Sequence, residues 1–298
     1  MFSYRHAFHA GNHADVLKHI TLLATLRHLM KKDTPLTLVD THAGAGLYRL
    51  DAAAAHTSGE AEAGIARLRP LLGAEGTPPA LADYLAVLAR FNPGAPEGGA
   101  WRVYPGSPLL MHALMNEPAR EAVHDRLKLF ELHPTDAQAL HAHISQLDAG
   151  RRVSMSHEDG FTGLKALLPP PASGSGSRRA LVLMDPSYEI KTDYAKVAAS
   201  VQDGLKRFAT GTYLVWYPVI PRPEAHELPR RLKTLATQAG RAWLHATLHV
   251  GAASEGEGGL SASGMFAINP PHTLKSALDA ALPRVLQALG DGRGRGRG

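Results

Sequence analysis

The chain contains no cysteine, which excludes disulfides, thiolate metal sites and cysteine nucleophiles. Charged residues make up only 20% of the 298 residues and hydrophobic residues 44%, an ordinary balance for a globular protein. No apolar run approaches the roughly 18 residues of a membrane span, and the first residues lack the apolar core of a signal peptide. We therefore expect a cytoplasmic protein without a membrane partner, with one large domain and an insertion or two smaller domains.

The charge balance permits an anionic partner but does not select one. The formal net charge is +5 and the pI is about 9.4, which suits nucleic acid. Three of the positive charges lie in the terminal GRGRGRG segment, at Arg293, Arg295 and Arg297. This low-complexity stretch predicts a disordered tail over 290–298.

Strand and helix patterns alternate along most of the chain. Asn12 is the predicted N-cap of a helix that continues to about residue 32, with Asp15 in its first turn. The buried strand patterns lie at 36–40, 126–132, 151–157, 180–185, 212–219, 242–250 and 265–270. Such alternation predicts a doubly wound α/β sheet, and the loop that joins the last two strands without a helix predicts an antiparallel hairpin at one edge.

The segment 53–98 differs from its surroundings in composition. It is rich in alanine and leucine, has helical periodicity and is punctuated by glycine and proline. We interpret it as a helical insertion subdomain within a catalytic domain formed by 1–52 and 99–289.

Four acidic residues lie at or just after successive strand ends. They are Asp40, Glu131, Asp159 and Asp185. Ligands of such sheets bind beyond the carboxyl ends of the strands, so these groups are expected to share one cleft. The turn after Asp40 has two glycines for close approach to a ligand, but Arg49 stands where a dinucleotide fingerprint has its third glycine. A nucleoside is therefore favoured over a dinucleotide.

Three of these acids, Asp40, Glu131 and Asp159, together predict a site for an adenosine-bearing ligand. A carboxylate at Glu131 offers two acceptor oxygens to the hydroxyls of a ribose. Asp159 precedes Gly160 and Phe161 and can accept a hydrogen bond from an adenine amine.

The stretch Asp185-Pro186-Ser187-Tyr188 suits a second substrate. The carboxylate of Asp185 and the carbonyl of Pro186 can both accept hydrogen bonds from one NH2 group. Two acceptors favour a pyramidal nitrogen and direct its lone pair at an electrophile, which is catalysis by orientation and electrostatics. Tyr188 offers a ring face on which an unpaired base can stack.

These residues resemble a known family. The strand order is similar to that of class I S-adenosylmethionine-dependent methyltransferases, and DPSY is similar to the [DNS]-P-P-[YFW] motif of enzymes that methylate amino groups of bases. The chain more closely resembles the RlmJ family, the 23S rRNA adenine-N6 methyltransferases, over residues 1–271. The motifs that carry the resemblance are SYRHAFHAGNHADVLKH, DTHAGAG, YPGSP, ELHP, DGF, KTDY, KRFATGTY, WYPV and ASGM…INPP.

The resemblance implies a fold and a set of roles. The fold is a Rossmann-like class I methyltransferase with a seven-stranded, mostly parallel sheet, an antiparallel last strand and a small helical insertion. Asp185 matches the catalytic acceptor of the amino proton, and Tyr4 matches a residue implicated in contact with substrate RNA. The implied partner is 23S rRNA, naked or partly assembled, and we expect a monomer. The implied contacts of S-adenosylmethionine are His19, His42, Ser107, Glu131, Asp159 and Gly160.

Ser187 departs from the family pattern, which has proline there. The two proposed amine acceptors remain, and what is lost is the restriction of φ. We expect a cost of ~0.5–1 kcal/mol in preorganisation and a modestly slower, active enzyme.

The N-terminal histidines do not predict a metal site. His9 and His13 are four residues apart, but Gly11-Asn12 marks a turn between them, so helical i,i+4 geometry is not expected. By resemblance, this segment of Tyr, Arg, His and Lys closes over a nucleoside cleft.

Three other functions stay open at this stage. The same motif type serves enzymes that methylate DNA adenine or a protein glutamine amide, and a noncatalytic RNA-binding protein could keep the fold. A nicotinamide-dependent oxidoreductase is disfavoured by the missing third glycine and by DPSY.

Overall fold

Alternate residues of the buried strands face opposite layers of helices, and this determines the architecture. The structure, a computed structural model, describes residues 5–96, 99–147, 149–174, 176–251, 260–290 and 295–297. Tyr4, the predicted RNA contact, lies outside these residues. In the described part of the chain, the strands are β1 (Thr37–Asp40), β2 (Leu47–Arg49), β3 (Val103–Pro105), β4 (Arg126–Phe130), β5 (Val153–Ser156), β6 (Ala180–Met184), β7 (Thr212–Pro218), β8 (Trp243–His249), β9 (Ala262–Ile268) and β10 (Arg295–Arg297).

Helices connect most of these strands. Short 3-10 helices lie at His6–Phe8, Arg69–Leu71, Pro118–Arg120 and Gly150–Arg152. The α-helices of the described residues are α1 (His13–Leu29), α2 (Ala53–Ser58), α3 (Glu60–Ala63), α4 (Ile65–Leu68), α5 (Pro79–Arg90), α6 (Ser107–Met115), α7 (Pro134–Ser145), α8 (Gly160–Leu167), α9 (Thr192–Arg207), α10 (Pro223–Gln238) and α11 (Leu274–Leu289).

The main sheet has the order β10-β8-β9-β7-β6-β1-β4-β5. Strands β5, β4, β1, β6 and β7 run parallel to one another, whereas β9 is antiparallel to both β7 and β8. The predicted seven-stranded, mostly parallel sheet with an antiparallel last strand is therefore confirmed for β1 and β4–β9. Strands β2 and β3 pair separately.

The terminal segment differs from the expected disordered tail. Residues Arg295–Arg297 pair as an eighth strand, β10, antiparallel to β8. An edge strand presents unpaired N–H and C=O groups that accept another extended segment. The alternating Gly-Arg stretch pairs along the free edge of β8, and this pairing makes Arg295–Arg297 a strand. Residues 291–294 and 298 lie outside the described residues.

Each face of the sheet carries its own hydrophobic core. Leu38, Leu181 and Leu214 pack in one core, whereas their neighbours Val39 and Val182 pack in the other. This alternation follows from the two-residue period of side chains along a strand. The sheet is thus covered on both faces, as parallel sheets require.

The segment 53–98 holds helices α2–α5 and packs on one of these cores. Ile65, Leu68, Leu81 and Leu85 are buried in the same cluster as residues of α1 and α11. The insertion therefore shares a core with the sheet and does not bury its apolar residues by itself.

Helix α1 begins where the sequence predicts it. The Asn12 side chain accepts a hydrogen bond from the Asp15 N–H at 2.9 Å, which confirms Asn12 as the N-cap. None of the helices in the described ranges combines the length and apolar character that crossing a bilayer requires.

Candidate active site

One large cavity, of about 630 Å³, opens at the carboxyl ends of the central strands. Its volume is in the range of small-molecule and cofactor sites. Eight of the predicted site residues line this cavity: His42, Ser107, Glu131, Asp159, Gly160, Asp185, Pro186 and Tyr188. The topology brings them together because β1, β4, β5 and β6 are adjacent and parallel.

Glu131 follows β4 and is held by backbone groups on both oxygens. Its Oε2 accepts the Gly44 N–H at 2.7 Å, and its Oε1 accepts the His133 N–H at 2.7 Å. Burial raises the pKa of Glu131, and the two N–H donors partly offset this effect. Each oxygen keeps a second lone pair, so the fixed carboxylate can still accept hydroxyl donors.

Asp159 is the N-cap of α8. Its Oδ1 accepts the N–H groups of Phe161 and Thr162, at 2.8 and 3.3 Å. The other oxygen, Oδ2, is left for a ligand. Gly160 is required by close packing, because a Cβ there would lie 2.0 Å from the carbonyl oxygen of Thr41.

The turn after β1 joins these groups to a buried acid. Asp40 is fully buried, and it accepts hydrogen bonds from Ser107 Oγ at 2.6 Å and from the His42 N–H at 3.2 Å. Burial raises the pKa of Asp40 to about 7. Burial likewise lowers the pKa of His42 to about 4, so its imidazole is neutral at pH 7. Asp40 therefore supports Ser107 and His42 from behind the cavity wall.

Asp185 follows β6 and forms an ion pair with Lys18 of α1. The Lys18 Nζ lies 2.5 Å from Asp185 Oδ2 and 2.8 Å from Asp15 Oδ1. Burial alone would lower the pKa of Lys18, but the two carboxylates outweigh it and hold that pKa well above its ordinary value. Burial raises the pKa of Asp185, and Lys18 opposes this rise. A cation therefore already contacts the carboxylate that the sequence assigns to the substrate amine.

Asp15 extends this network to the N-terminal segment. Its Oδ2 accepts the Gly11 N–H and lies 2.9 Å from His6 Nε2. Burial would raise the pKa of Asp15, but His6 and Lys18 hold it well below its ordinary value. The carboxylate is therefore ionised and anchors Lys18.

Tyr188 is buried, with only 2% of its surface exposed. Its hydroxyl donates to the Trp216 carbonyl at 2.7 Å, and its ring lies 4.5 Å from that of Tyr194. Its φ of 54° is a left-handed conformation that is rare for a bulky residue. The ring lines the cavity and packs on Tyr194, and its stacking on a base stays a prediction.

His19 is not among the residues that line the cavity, and its expected contact with the cofactor stays a prediction. It is fully buried, and its Nδ1 lies 2.6 Å from the hydroxyl of Tyr104. One residue on an α-helix turns the side chain by about 100°. Because Lys18 faces the cavity, the next residue, His19, points toward Tyr104 of β3, which in turn contacts Tyr84 of α5.

The N-terminal histidines have separate partners. His13 Nε2 lies 2.6 Å from the carbonyl oxygen of Leu260, and His9 Nδ1 lies 2.8 Å from Glu60. Each is thus directed toward a different element.

Comparison with known proteins identifies the family. A family model described as ribosomal RNA large subunit methyltransferase D, RlmJ, matches residues 33–297. The chain is 43% identical over 283 residues to the ribosomal RNA large subunit methyltransferase J of Escherichia coli K12, covering 95% of this chain and 92% of that protein.

The chain belongs to the RlmJ family.

Two further similar proteins support membership in this family. The ribosomal RNA large subunit methyltransferase J of Haemophilus influenzae Rd is 39% identical over 289 residues, covering 97% of this chain and 94% of that protein. The crystal structure of a Legionella pneumophila protein superposes with a TM-score of 0.81 at 31% identity, covering 97% of both chains. The fold of this RlmJ-family chain is therefore shared over nearly its whole length.

Reasoning from strand ends missed the contribution of α1. Lys18 and Asp15 lie on a helix and not at a strand end, so the rule that located Asp185 does not reach them. A signal is nonetheless present in the sequence. An acid and a lysine three residues apart interrupt an otherwise apolar helix face, and buried charges of this kind require partners.

Proposed function

We propose that this protein transfers a methyl group from S-adenosylmethionine to the N6 amine of an adenine in 23S rRNA, in the cytoplasm. One observation carries the proposal: in an RlmJ-family chain, Asp185-Pro186 and the carboxylates of Glu131 and Asp159 line a single cavity. The two halves of a methyl transfer, a nucleoside-bearing donor and an amine acceptor, thus have adjacent sites.

The residues of the donor side fit S-adenosylmethionine. Glu131 is fixed by two backbone N–H groups with lone pairs to spare for ribose hydroxyls. Asp159 keeps Oδ2 for the adenine amine, and Gly160 brings the backbone to the cavity wall. S-adenosylmethionine supplies an electrophilic methyl group when bound.

The residues of the acceptor side fit an aromatic amine. Lys18 occupies Oδ2 of Asp185, which leaves Oδ1 and the Pro186 carbonyl oxygen as acceptors for the two hydrogens of N6. Holding both hydrogens localises the nitrogen lone pair, which adenine otherwise delocalises into its ring. As the new C–N bond forms, the C–S bond of the sulfonium donor would break to leave a neutral thioether, and the nitrogen would lose one proton to the Asp185 carboxylate. Burial raises the pKa of Asp185, and the neighbouring Lys18 cation opposes this rise and so favours the ionised carboxylate.

Two basic side chains among the residues that line the cavity suit an RNA substrate. Lys196 and Arg222 line the cavity with Asp185, and Arg222 also lies next to the Tyr188 carbonyl, at 3.4 Å. Lys and Arg at such positions bind the phosphates on either side of an extruded base.

The test is methyl transfer with defined acceptors. The protein is incubated with methyl-labelled S-adenosylmethionine and, separately, deproteinised 23S rRNA, assembled large subunits and double-stranded DNA of matched adenine content. We expect label in the rRNA, recovered as N6-methyladenosine after nuclease digestion and mass analysis. Label in DNA alone, or in a nucleoside other than N6-methyladenosine, would contradict the proposal. Failure to bind S-adenosylmethionine by calorimetry would favour a noncatalytic RNA-binding protein.

A further inference from the structure

The helical insertion contacts the N-terminal segment through one carboxylate. Glu60, the first residue of α3, lies 2.8 Å through Oε1 from His9 Nδ1. Its Oε2 accepts a hydrogen bond from Asn12 Nδ2, also at 2.8 Å. Both oxygens of this insertion residue are therefore committed to residues that precede α1.

The backbones of the two regions also meet directly. The Ile65 N–H donates to the Gly11 carbonyl at 2.8 Å. A Cβ added at Gly64 would lie 2.1 Å from that same oxygen, so only glycine permits the approach. The insertion thus sets the position of the turn at Gly11.

This contact continues to the candidate catalytic acid. Asn12 donates to Glu60 with Nδ2 and accepts the Asp15 N–H with Oδ1. Asp15 in turn pairs with Lys18, and Lys18 pairs with Asp185. An unbroken set of hydrogen bonds and ion pairs therefore joins the insertion to the acceptor side of the cavity.

The contacts of Glu60 also close one side of the cavity. His6, His9, Asn12 and Glu60 all line it. A residue with a merely structural role in the insertion would pack within α2–α5, whereas both oxygens of Glu60 point away from them to another segment.

We propose that Glu60 is a positioning residue, which holds His9 and Asn12 so that the N-terminal segment stays in place as a wall of the cavity. The proposal rests on the proposed function in one respect, namely that the cavity binds S-adenosylmethionine. It assigns to the insertion a role inside the active site in addition to any contact with RNA.

The contact is expected to depend on pH through His9. The charged groups that face His9 are Glu60 and Asp15, and those that face Glu60 are His9 and His13. The hydrogen bond with Glu60 raises the pKa of His9 above its ordinary 6.5, against the effect of burial. A raised pKa means that the contribution is complete below pH 6.5 and declines as the pH rises through the raised value.

The test combines hydrogen exchange with ligand binding in Glu60→Ala, Glu60→Gln and Glu75→Gln. Glu75 is an exposed carboxylate elsewhere in the insertion and serves as the matched control. In Glu60→Ala we expect amides of residues 5–12 to exchange about tenfold faster, equivalent to ~1.4 kcal/mol, while those of β6 and β7 stay protected. Glu60→Gln keeps the shape and one acceptor oxygen, so an increase of about threefold is expected. Glu75→Gln is expected to match the wild type.

Binding of S-adenosylmethionine, measured by calorimetry, is expected to weaken about tenfold in Glu60→Ala. The difference in affinity between Glu60→Ala and the wild type should become smaller as the pH rises through the pKa of His9, because the Glu60–His9 contact of the wild type weakens there. Unchanged exchange at residues 5–12 in folded Glu60→Ala would overturn the proposal. So would faster exchange throughout β6 and β7, which indicates general destabilisation. If the wild type binds no S-adenosylmethionine, the proposed function fails, whereas the exchange data still decide the role of Glu60.

Discussion

The two sides of the cavity are built differently. On one side, Glu131 and Asp159 are held by backbone N–H groups of adjacent turns. On the other, Asp185 is held by Lys18, which is shared with Asp15. Backbone donors do not titrate and move little, whereas an ion pair responds to pH and to a competing ligand. The first side is therefore ready for a ligand, and the second has a cation that an incoming amine must accommodate.

Removing the acid of the second side has the largest expected effect. In Asp185→Ala, we expect the rate of methyl transfer to fall about a thousandfold or more, because the amine loses an oriented acceptor and the proton its destination. The dissociation constant for S-adenosylmethionine should change by less than about threefold, since the backbone-held side is untouched. Single-turnover transfer to rRNA and calorimetry measure the two quantities. Transfer at the wild-type rate would remove Asp185 from the mechanism.

Removing the Lys18 cation should affect both the stability of the protein and the pH dependence of methyl transfer. In Lys18→Met, the buried Asp15 and the half-buried Asp185 lose their shared partner, and we expect the free energy of unfolding to fall by about 3 kcal/mol. Lys275→Met, which removes an exposed ion pair with Asp279, is the control and should cost less than about 1 kcal/mol.

The same variant tests the direction of a pKa shift. Transfer needs the ionised form of Asp185, so the wild-type rate should fall as the pH drops through its pKa, which burial has raised and Lys18 partly lowers. Without Lys18, this acidic limb should move to higher pH. A limb that stays in place in the pH–rate profile would mean that Lys18 does not set the ionisation of Asp185.

Changes on the backbone-held side should act on binding. In Glu131→Gln, one oxygen becomes an NH2 group, which cannot accept the N–H of Gly44 or His133. We expect the dissociation constant for S-adenosylmethionine to rise about tenfold, corresponding to ~1.4 kcal/mol, with a smaller effect on the rate at saturation. Calorimetry and saturation kinetics separate the two. A loss confined to the saturated rate would contradict a binding role.

The smallest effect is expected at the loop after Asp185. Ser187 is exposed, so Ser187→Pro changes chiefly the freedom of the backbone. We expect a gain of ~0.5–1 kcal/mol in stability and a modest rise in turnover. Thermal unfolding and initial rates measure this. No gain in either would make the preorganisation argument for this position wrong.

Much of the fold was predictable because local patterns and global topology agree. Strand patterns such as 36–40 and 180–185 coincide with β1 and β6 to within a residue, since buried parallel strands are continuous apolar runs. The tail was predicted wrongly at Arg295–Arg297, because low complexity describes composition and does not report a free strand edge nearby. Pairing with β8 is a long-range event that composition cannot encode.

The site was predictable where it depends on strand ends. Glu131, Asp159 and Asp185 were located by the rule that parallel strands deliver their carboxyl ends to one edge. The cofactor contact expected for His19 stays a prediction, because the phase of α1 depends on how the helix packs; in this structure Lys18 reaches Asp185 and the buried His19 reaches Tyr104. The buried setting of Tyr188 likewise depends on Trp216 and Tyr194, from other elements.

The layered α/β fold, the set of acids at the strand ends and the resemblance to the RlmJ family could all be predicted from the chain alone. These follow from periodicity and from motifs, which are local in the chain. Which polar groups meet depends on how the elements pack: Lys18 with Asp185, and Glu60 with His9 and Asn12. An ion pair or hydrogen bond depends on distances of a few ångströms, and packing sets those distances between residues far apart in the chain, such as Lys18 and Asp185, which are 167 positions apart.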